Sequence, residues 1–220
     1  MIDFHTHTIF SDGVLIASEL VRRAEVIGYR AIGLTDHVDA SNLDFVAPRI
    51  IKVAQELNRL QKVLVIPGVE ITHAPPSEIG ELISEARKIG VTLIITHGES
   101  PVEPVARGTN HAAILAETDI LAHPGLISNE DATLAKEKNV FLEITSRSGH
   151  SLTNGHVFRM ASKTGAQMVL STDTHTPDNL MTDERAHVVL IGAGMSHKEA
   201  DRVLDSNHAL LDVLKARMDW

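Results

Sequence analysis

With 220 residues, 43% of them hydrophobic but only 3% aromatic, the chain suits one large domain whose core must be built from Ile, Leu, Val and Ala. Its 20 Lys and Arg against 29 Asp and Glu give a net charge of −9, so it has no general attraction for a nucleic-acid backbone or an anionic membrane. Cysteine is absent, which excludes disulfides and thiolate metal sites, whereas 13 histidines are many for this length, and their placement becomes the question.

In chain order, short apolar runs alternate with helical patterns. The runs "MIDFH", "AIGLTDH", "VLVIPGVEIT", "VTLIITH", "DILAH", "VFLEI" and "QMVLSTDTH" are rich in Val, Ile and Leu without strict polar alternation, as strands covered on both faces are. Between them, "SELVRRAEVIG", "FVAPRIIKVAQELNRLQ", "SEIGELISEARKIG", "TNHAAILAE", "SNEDATLAKEKN" and "TNGHVFRMASKTG" repeat apolar residues three and four apart. Gly28, Gly90 and Gly165 stand where helices end, and Ser128 with Asp131 where one begins. From about Thr182 the chain reads as helix, with Ser196 and Glu199 at capping-box spacing. The Gly-x-Gly of "IGAGMS" lies between helical patterns and reads as a helix end and turn, not a phosphate loop. Seven strand–helix units predict an α/β protein with parallel strands in one domain over residues 1–220, either an open doubly wound sheet or a closed barrel.

The polar residues fall at the ends of these runs. His5 and His7 close the first, then Asp36 and His37, Glu70, His97, His123, Glu143, and finally Asp173 and His175, with Asp12 just beyond the first run. Parallel strands present their C-terminal ends on one face, so these side chains converge. Residues two apart on a strand point the same way, so His5 and His7 can grip one centre, as can Asp173 and His175. Burying so many ionisable groups together without a cation is opposed by desolvation and by like charge. Metal ions remove that cost. Imidazole nitrogen and carboxylate oxygen without sulfur suit zinc, manganese or iron, and the set exceeds what one tetrahedral ion uses, so two or three divalent ions are expected. Glu70, in the middle of the set, is placed to bridge them.

Two loops leave the same face. "SPVEPVARGTN" offers Arg107, and "SRSGHSLTNGH" offers Arg147, His150 and Asn154, to a phosphate group that an acidic protein must catch locally. Glu143 has no slot among the ligands and reads as a residue that supports them or meets substrate. His73 and His156 receive no firm role, and His111, His187, His197 and His208 sit in helical patterns as surface side chains.

"FHTHTIFSDG", "LTDH", "PGVEIT", "ITHGE", "LAHPG", "LEI" and "STDTH" resemble, in order, the motifs of the PHP (polymerase and histidinol phosphatase) family over residues 2–175. The resemblance implies a distorted seven-stranded β/α barrel, similar to the TIM barrel, with a trinuclear metal centre that hydrolyses phosphoesters. It implies one ion at His5, His7, Glu70 and Asp173, where the attacking hydroxide is held, and a second at Glu70, His97 and His123. A third would lie at Asp12, His37 and His175, although the Asp12 position is often histidine in the family. Asp36 would then support His37 from behind. The implied substrate is a small phosphorylated metabolite such as histidinol phosphate or a nucleotide. A metal-dependent deoxyribonuclease or amidohydrolase-like barrel also opens on His-x-His, but it gives no account of Asp12, His37 or His175. No secretory leader and no apolar run of roughly 20 residues is seen, so a cytoplasmic protein that does not bind membranes or nucleic acid is expected, as a monomer or homo-oligomer.

Overall fold

The computed structural model describes residues 1–218 and arranges the apolar runs as parallel strands with helices between them. The strands are β1 (Ile2–Asp3), β2 (Ala31–Leu34), β3 (His37–Val38), β4 (Leu64–Ile71), β5 (Leu93–His97), β6 (Ile120–Ala122), β7 (Phe141–Thr145) and β8 (Met168–Ser171). They pair in the order β1-β2-β4-β5-β6-β7-β8, while β3 pairs with the far end of β4 and sets His37 opposite Glu70. A parallel bridge between Thr6 and Thr174 joins the two edge strands beyond β1 and β8. The result is a nearly closed barrel of seven strand positions, β2 and β3 sharing one, which decides between the two architectures left open by the sequence.

The break within "AIGLTDH" has a local cause. The Asp36 carboxylate accepts hydrogen bonds from the Thr8 and Ser11 backbone amides (2.7 and 3.1 Å) and from both hydroxyls (2.8 Å each). Asp36 thus pins the loop that carries Asp12. Gly13 closes that loop against the strand, because a Cβ there would lie 2.3 Å from the His7 carbonyl oxygen.

The helices are α1 (Ala17–Val26), α2 (Leu43–Asn58), α3 (Ile79–Ile89), α4 (Thr109–Leu115), α5 (Asn129–Lys138), α6 (Asn154–Thr164), α7 (Asp183–Gly192) and α8 (His197–Arg217). Their ends follow the sequence signals. The Ser128 hydroxyl accepts from the Asp131 amide at 2.9 Å, and Ser196 and Glu199 form the reciprocal capping box that starts α8. The glycines of "IGAGMS" end α7 and turn the chain into α8, as read.

Inside the barrel, Phe4, Ile66, Leu93, Ile95, Ile120 and Val169 pack together, and Leu210, Leu211 and Leu214 of α8 join the same cluster. Full burial of each leucine contributes about 1.5–3 kcal/mol. Helix α8 therefore closes the floor and leaves the strands' C-terminal ends as the open mouth. It also mends the wall. β1 and β8 do not pair directly along their length, and Asn207 of α8 fills the gap: its amide nitrogen donates to the carbonyls of Ile2 (3.1 Å) and Leu170 (2.8 Å), and its oxygen accepts from the Leu170 amide (3.0 Å). One turn higher, the buried Asp3 carboxylate accepts from the backbone amide and hydroxyl of Thr172. Burial pushes that carboxyl up to about 6 against those hydrogen bonds.

Asn207→Ala leaves buried backbone groups unpaired at this seam. It is expected to lower unfolding free energy by about 2–4 kcal/mol in urea denaturation, whereas a loss below about 0.5 kcal/mol would mean that the seam does not depend on it.

Candidate metal centre and cleft

Each strand delivers its polar residue to the mouth. His5 and His7 follow β1, His37 begins β3, Glu70 lies near the end of β4, His97 ends β5, His123 follows β6, Glu143 lies in β7, and Asp173 and His175 follow β8. His5, His7, Glu70, Glu143, His97, His123 and Asp173 are all at least 97% buried.

At the centre stand His5, His7, Glu70 and Asp173. His5 Nε2 lies 3.3 Å from Glu70 Oε2 and 3.7 Å from Asp173 Oδ1, and His7 Nε2 lies 3.6 and 3.2 Å from the same two oxygens. His5 Nε2, His7 Nε2 and Asp173 Oδ1 make no hydrogen bond, and beside Glu70 Oε2 stands His37 Nδ1 at 2.7 Å. Ligand atoms around one tetrahedral ion with bonds of about 2.0–2.2 Å sit about 3.3–3.6 Å apart. The four imidazole–carboxylate separations, 3.2–3.7 Å, bracket that spacing.

Proton placement sharpens the point. His5 Nδ1 faces Glu143 Oε1 at 2.8 Å, and His175 Nδ1 faces the Asp173 carbonyl at 3.0 Å. Carboxylate and carbonyl oxygens only accept, so each Nδ1 carries the hydrogen and each neutral ring turns a bare Nε2 inward. Those lone pairs meet further acceptors: His5 meets Glu70, and His175 Nε2 meets Asp12 Oδ1 at 3.1 Å. Acceptor against acceptor is stable only with a cation between, either a proton or a metal ion. The donor set fits divalent transition-metal ions.

Asp12, His37 and His175 come together as well, with His37 Nε2 3.4 Å from Asp12 Oδ1, and His7 belongs to the same group. His37 Nδ1 lies 2.7 Å from both Glu70 Oε2 and the Thr72 hydroxyl. The remaining expected set, Glu70 with His97 and His123, is not gathered in that form. His123 Nε2 is 3.7 Å from Glu70 Oε1, but His97 groups with His123 and His150, and separately with His73 and Glu103. Glu70 lies beside His37 and His5, and the carboxylate beside His97 is that of Glu103, at 3.2 Å.

Electrostatics follow from the crowding. Burial opposes protonation of His5, yet the carboxylates of Glu70, Glu143 and Asp173 hold its imidazole well above the ordinary histidine range. Burial, with His37 and His5 nearby, holds His7 well below it. Burial raises the Asp173 carboxyl to about 6, and Glu70, despite its burial, is held well below the carboxylate range by His5 and His37.

Glu143 ties His5 to the end of β6. One oxygen takes the His5 ring hydrogen and the other accepts from the His123 amide at 3.0 Å. Asp36 does not back the His37 ring; it holds the Asp12 loop instead. Arg147 lines the cleft with its Nε 3.9 Å from Asp173 Oδ2, and His150 lines it too. Arg107 is exposed on the loop before α4, outside the cleft wall. Asn154 is spent on the backbone of β7: its oxygen accepts from the Thr145 amide and its nitrogen donates to the Thr145 carbonyl. His156 bonds the Ile127 carbonyl, His111 pairs with Asp131, and His187 pairs with Asp201. Glu103, which lines the cleft, carried no strand-end signal in the sequence.

Comparison with known proteins agrees with this architecture. The family model described as the PHP domain matches residues 3–209. The chain therefore belongs to the PHP-domain family, the phosphoesterase family that its motifs resemble. It is 47% identical over 204 residues to an uncharacterized protein of Methanocaldococcus jannaschii, covering 92% of this chain and 94% of that one. Among solved structures it resembles the histidinol phosphate phosphatase of Lactococcus lactis, complexed with zinc, L-histidinol and phosphate, with a TM-score of 0.62 and 17% identity over 89% of this chain and 94% of that one. It also resembles a chain in archaeal ribonuclease P with mature tRNA, with a TM-score of 0.73 and 16% identity over 97% of this chain and 90% of that one. At such identities both likenesses concern the fold.

The carboxylates around His5 favour a proton on its ring, and a metal ion bound there would displace it. Zinc or manganese added to chelator-stripped protein is therefore expected to raise Tm and release protons, with affinity falling as pH drops from 7 to 5. Calorimetry in buffers of different ionisation enthalpy checks the proton count. Binding without proton release would contradict the assignment.

Proposed function

We propose that this protein is a metal-dependent phosphatase acting on a small phosphorylated metabolite, histidinol phosphate and nucleotides being the first candidates. The observation that carries the reading is the set of four buried atoms, His5 Nε2, His7 Nε2, Glu70 Oε2 and Asp173 Oδ1, in which each imidazole nitrogen lies 3.2–3.7 Å from both carboxylate oxygens without a hydrogen bond between them. Divalent ions held at such sites activate water near neutral pH and polarise phosphoryl oxygens. His5, His7, Glu70 and Asp173 would hold one ion, and Asp12, His37 and His175 another; two or three zinc, manganese or iron ions in all fit the donors.

The chain's own residues complete the reading. Glu143 fixes the His5 ring and Thr72 contacts His37, so that the ligands are set before substrate arrives. Arg147 is the arginine of the cleft wall, and its guanidinium is the cation available to pair with a phosphate. A cleft of about 250 Å³ with one arginine in its wall suits a small monoester better than a long polyanion, and a net charge of −9 supports the same choice. The relation to a ribonuclease P chain does not by itself carry an RNA partner here. Among the described residues, no helix is long and apolar enough to cross a membrane.

With manganese or zinc, the purified protein is expected to hydrolyse p-nitrophenyl phosphate and at least one metabolite of a phosphomonoester panel. His7→Ala should lower kcat/KM by more than about 100-fold, beyond what loss of a supporting residue costs. Arg147→Ala should lower it about 10- to 100-fold, chiefly through KM. Undiminished turnover in His7→Ala would sink the proposed site.

A further inference from the structure

Glu103 lies on the segment between β5 and α4, which none of the strand-end motifs includes. Its carboxylate is met by three imidazoles. Oε2 lies 3.2 Å from His97 Nε2 and 3.0 Å from His73 Nε2, and Oε1 lies 3.3 Å from His150 Nε2. The ligand atoms of His73, His97 and Glu103 all fall within 4.8 Å of one another.

The His97 ring carries the signature seen at His5 and His175. Its Nδ1 faces the Gly98 carbonyl at 3.1 Å, which can only accept, so Nδ1 carries the hydrogen and the neutral ring turns a bare Nε2 towards the Glu103 carboxylate. Here too a proton or a metal ion must lie between the two acceptors. His97 is 97% buried, so water does not relieve the opposition from its side.

His73 brings an independent sign. Its φ is +52°, in the left-handed region that a β-substituted residue adopts at a cost of order 1–3 kcal/mol. His123 and Asp173 share this feature with φ of +27° and +53°, as do Glu117 and Asn139 at helix ends. The exposed His73 side chain meets Glu103 at the cleft mouth. Ser100, on the same segment as Glu103, holds His150 Nδ1 at 2.6 Å and so aims the other ring nitrogen at Glu103.

We propose that His73, His97 and Glu103 form a divalent transition-metal site at the mouth of the cleft, with Glu103 as its carboxylate ligand in the place that Glu70 was expected to fill for His97. The inference rests on the metal-centre reading above and adds ligands to it. The side chains of His73 and Glu103 are 41% and 36% exposed, so this ion would stand in contact with solvent. Its position between the inner cluster and the open cleft places it where the oxygens of an arriving anion first meet the protein.

The test counts ions directly. Chelator-stripped wild type, Glu103→Gln and His73→Ala are dialysed against graded zinc, and bound metal is measured by inductively coupled plasma mass spectrometry. Cobalt loading reports coordination by visible absorption, and circular dichroism confirms folding. The expected result is that both variants lose one ion per chain, or bind it at least 10-fold more weakly, while the ions of the inner cluster stay bound. Unchanged stoichiometry and affinity in the two variants would overturn the inference, a proton then bridging His97 and Glu103, and would leave the phosphatase reading intact. Loss in only one variant would overturn the three-residue site. A wild type that takes up no ion would overturn the metal-centre reading as well.

Discussion

The molecule is organised around one electrostatic constraint: hydrogen-bond acceptors held face to face in a buried mouth. His5, His175 and His97 each give the Nδ1 hydrogen to a carboxylate or carbonyl oxygen behind them. Their bare Nε2 atoms then look onto Glu70, Asp12 and Glu103. For His5 and Glu70, both fully buried, such a pair repels unless positive charge lies between them, and the other two pairs open to solvent on the carboxylate side. The fold enforces the juxtaposition with a closed parallel barrel, and left-handed backbone at His123 and Asp173 stores part of the cost.

That arrangement needs stability from elsewhere, and the structure supplies it at the opposite end. The leucines of α8 pack into the barrel floor, and Asn207 with Asp3 joins β1 to β8 where direct strand pairing is missing. The Thr6–Thr174 bridge then brings His5 and His7 beside Asp173 and His175. Closure of the wall and assembly of the centre thus go together: the residues flanking the bridge are the proposed ligands. Loops above the wall refine the mouth, Asp36 tying down the Asp12 segment and Ser100 aiming His150.

Much of this was legible in the sequence because period and position carry it. Buried parallel strands read as unbroken apolar runs, and the residue that ends each run is forced to the shared face, so His5, His7, Glu70, Asp173 and their neighbours could be named without coordinates. Barrel closure was not legible, since it depends on a single bridge and on an asparagine 205 residues from its partner in β1. Loop residues were the least legible. Arg107 and Arg147 have the same chemistry and similar positions after a strand, yet only Arg147 turns into the cleft. Asn154 looked available, but its amide matches the backbone of Thr145. Glu103, in a proline-flanked segment without periodicity, gave no signal that it would meet three imidazoles. An acidic residue a few positions beyond a strand-terminal histidine is the only hint such a sequence holds.

The most direct measurement is anomalous diffraction at the zinc or manganese absorption edge from crystals of the metal-loaded protein. The account predicts a peak within about 2.0–2.2 Å of His5 Nε2, His7 Nε2 and the Glu70 and Asp173 carboxylates. A loaded crystal without anomalous density there, and with those four atoms still facing one another, would mean that protons alone hold the mouth together and would contradict the account at its centre.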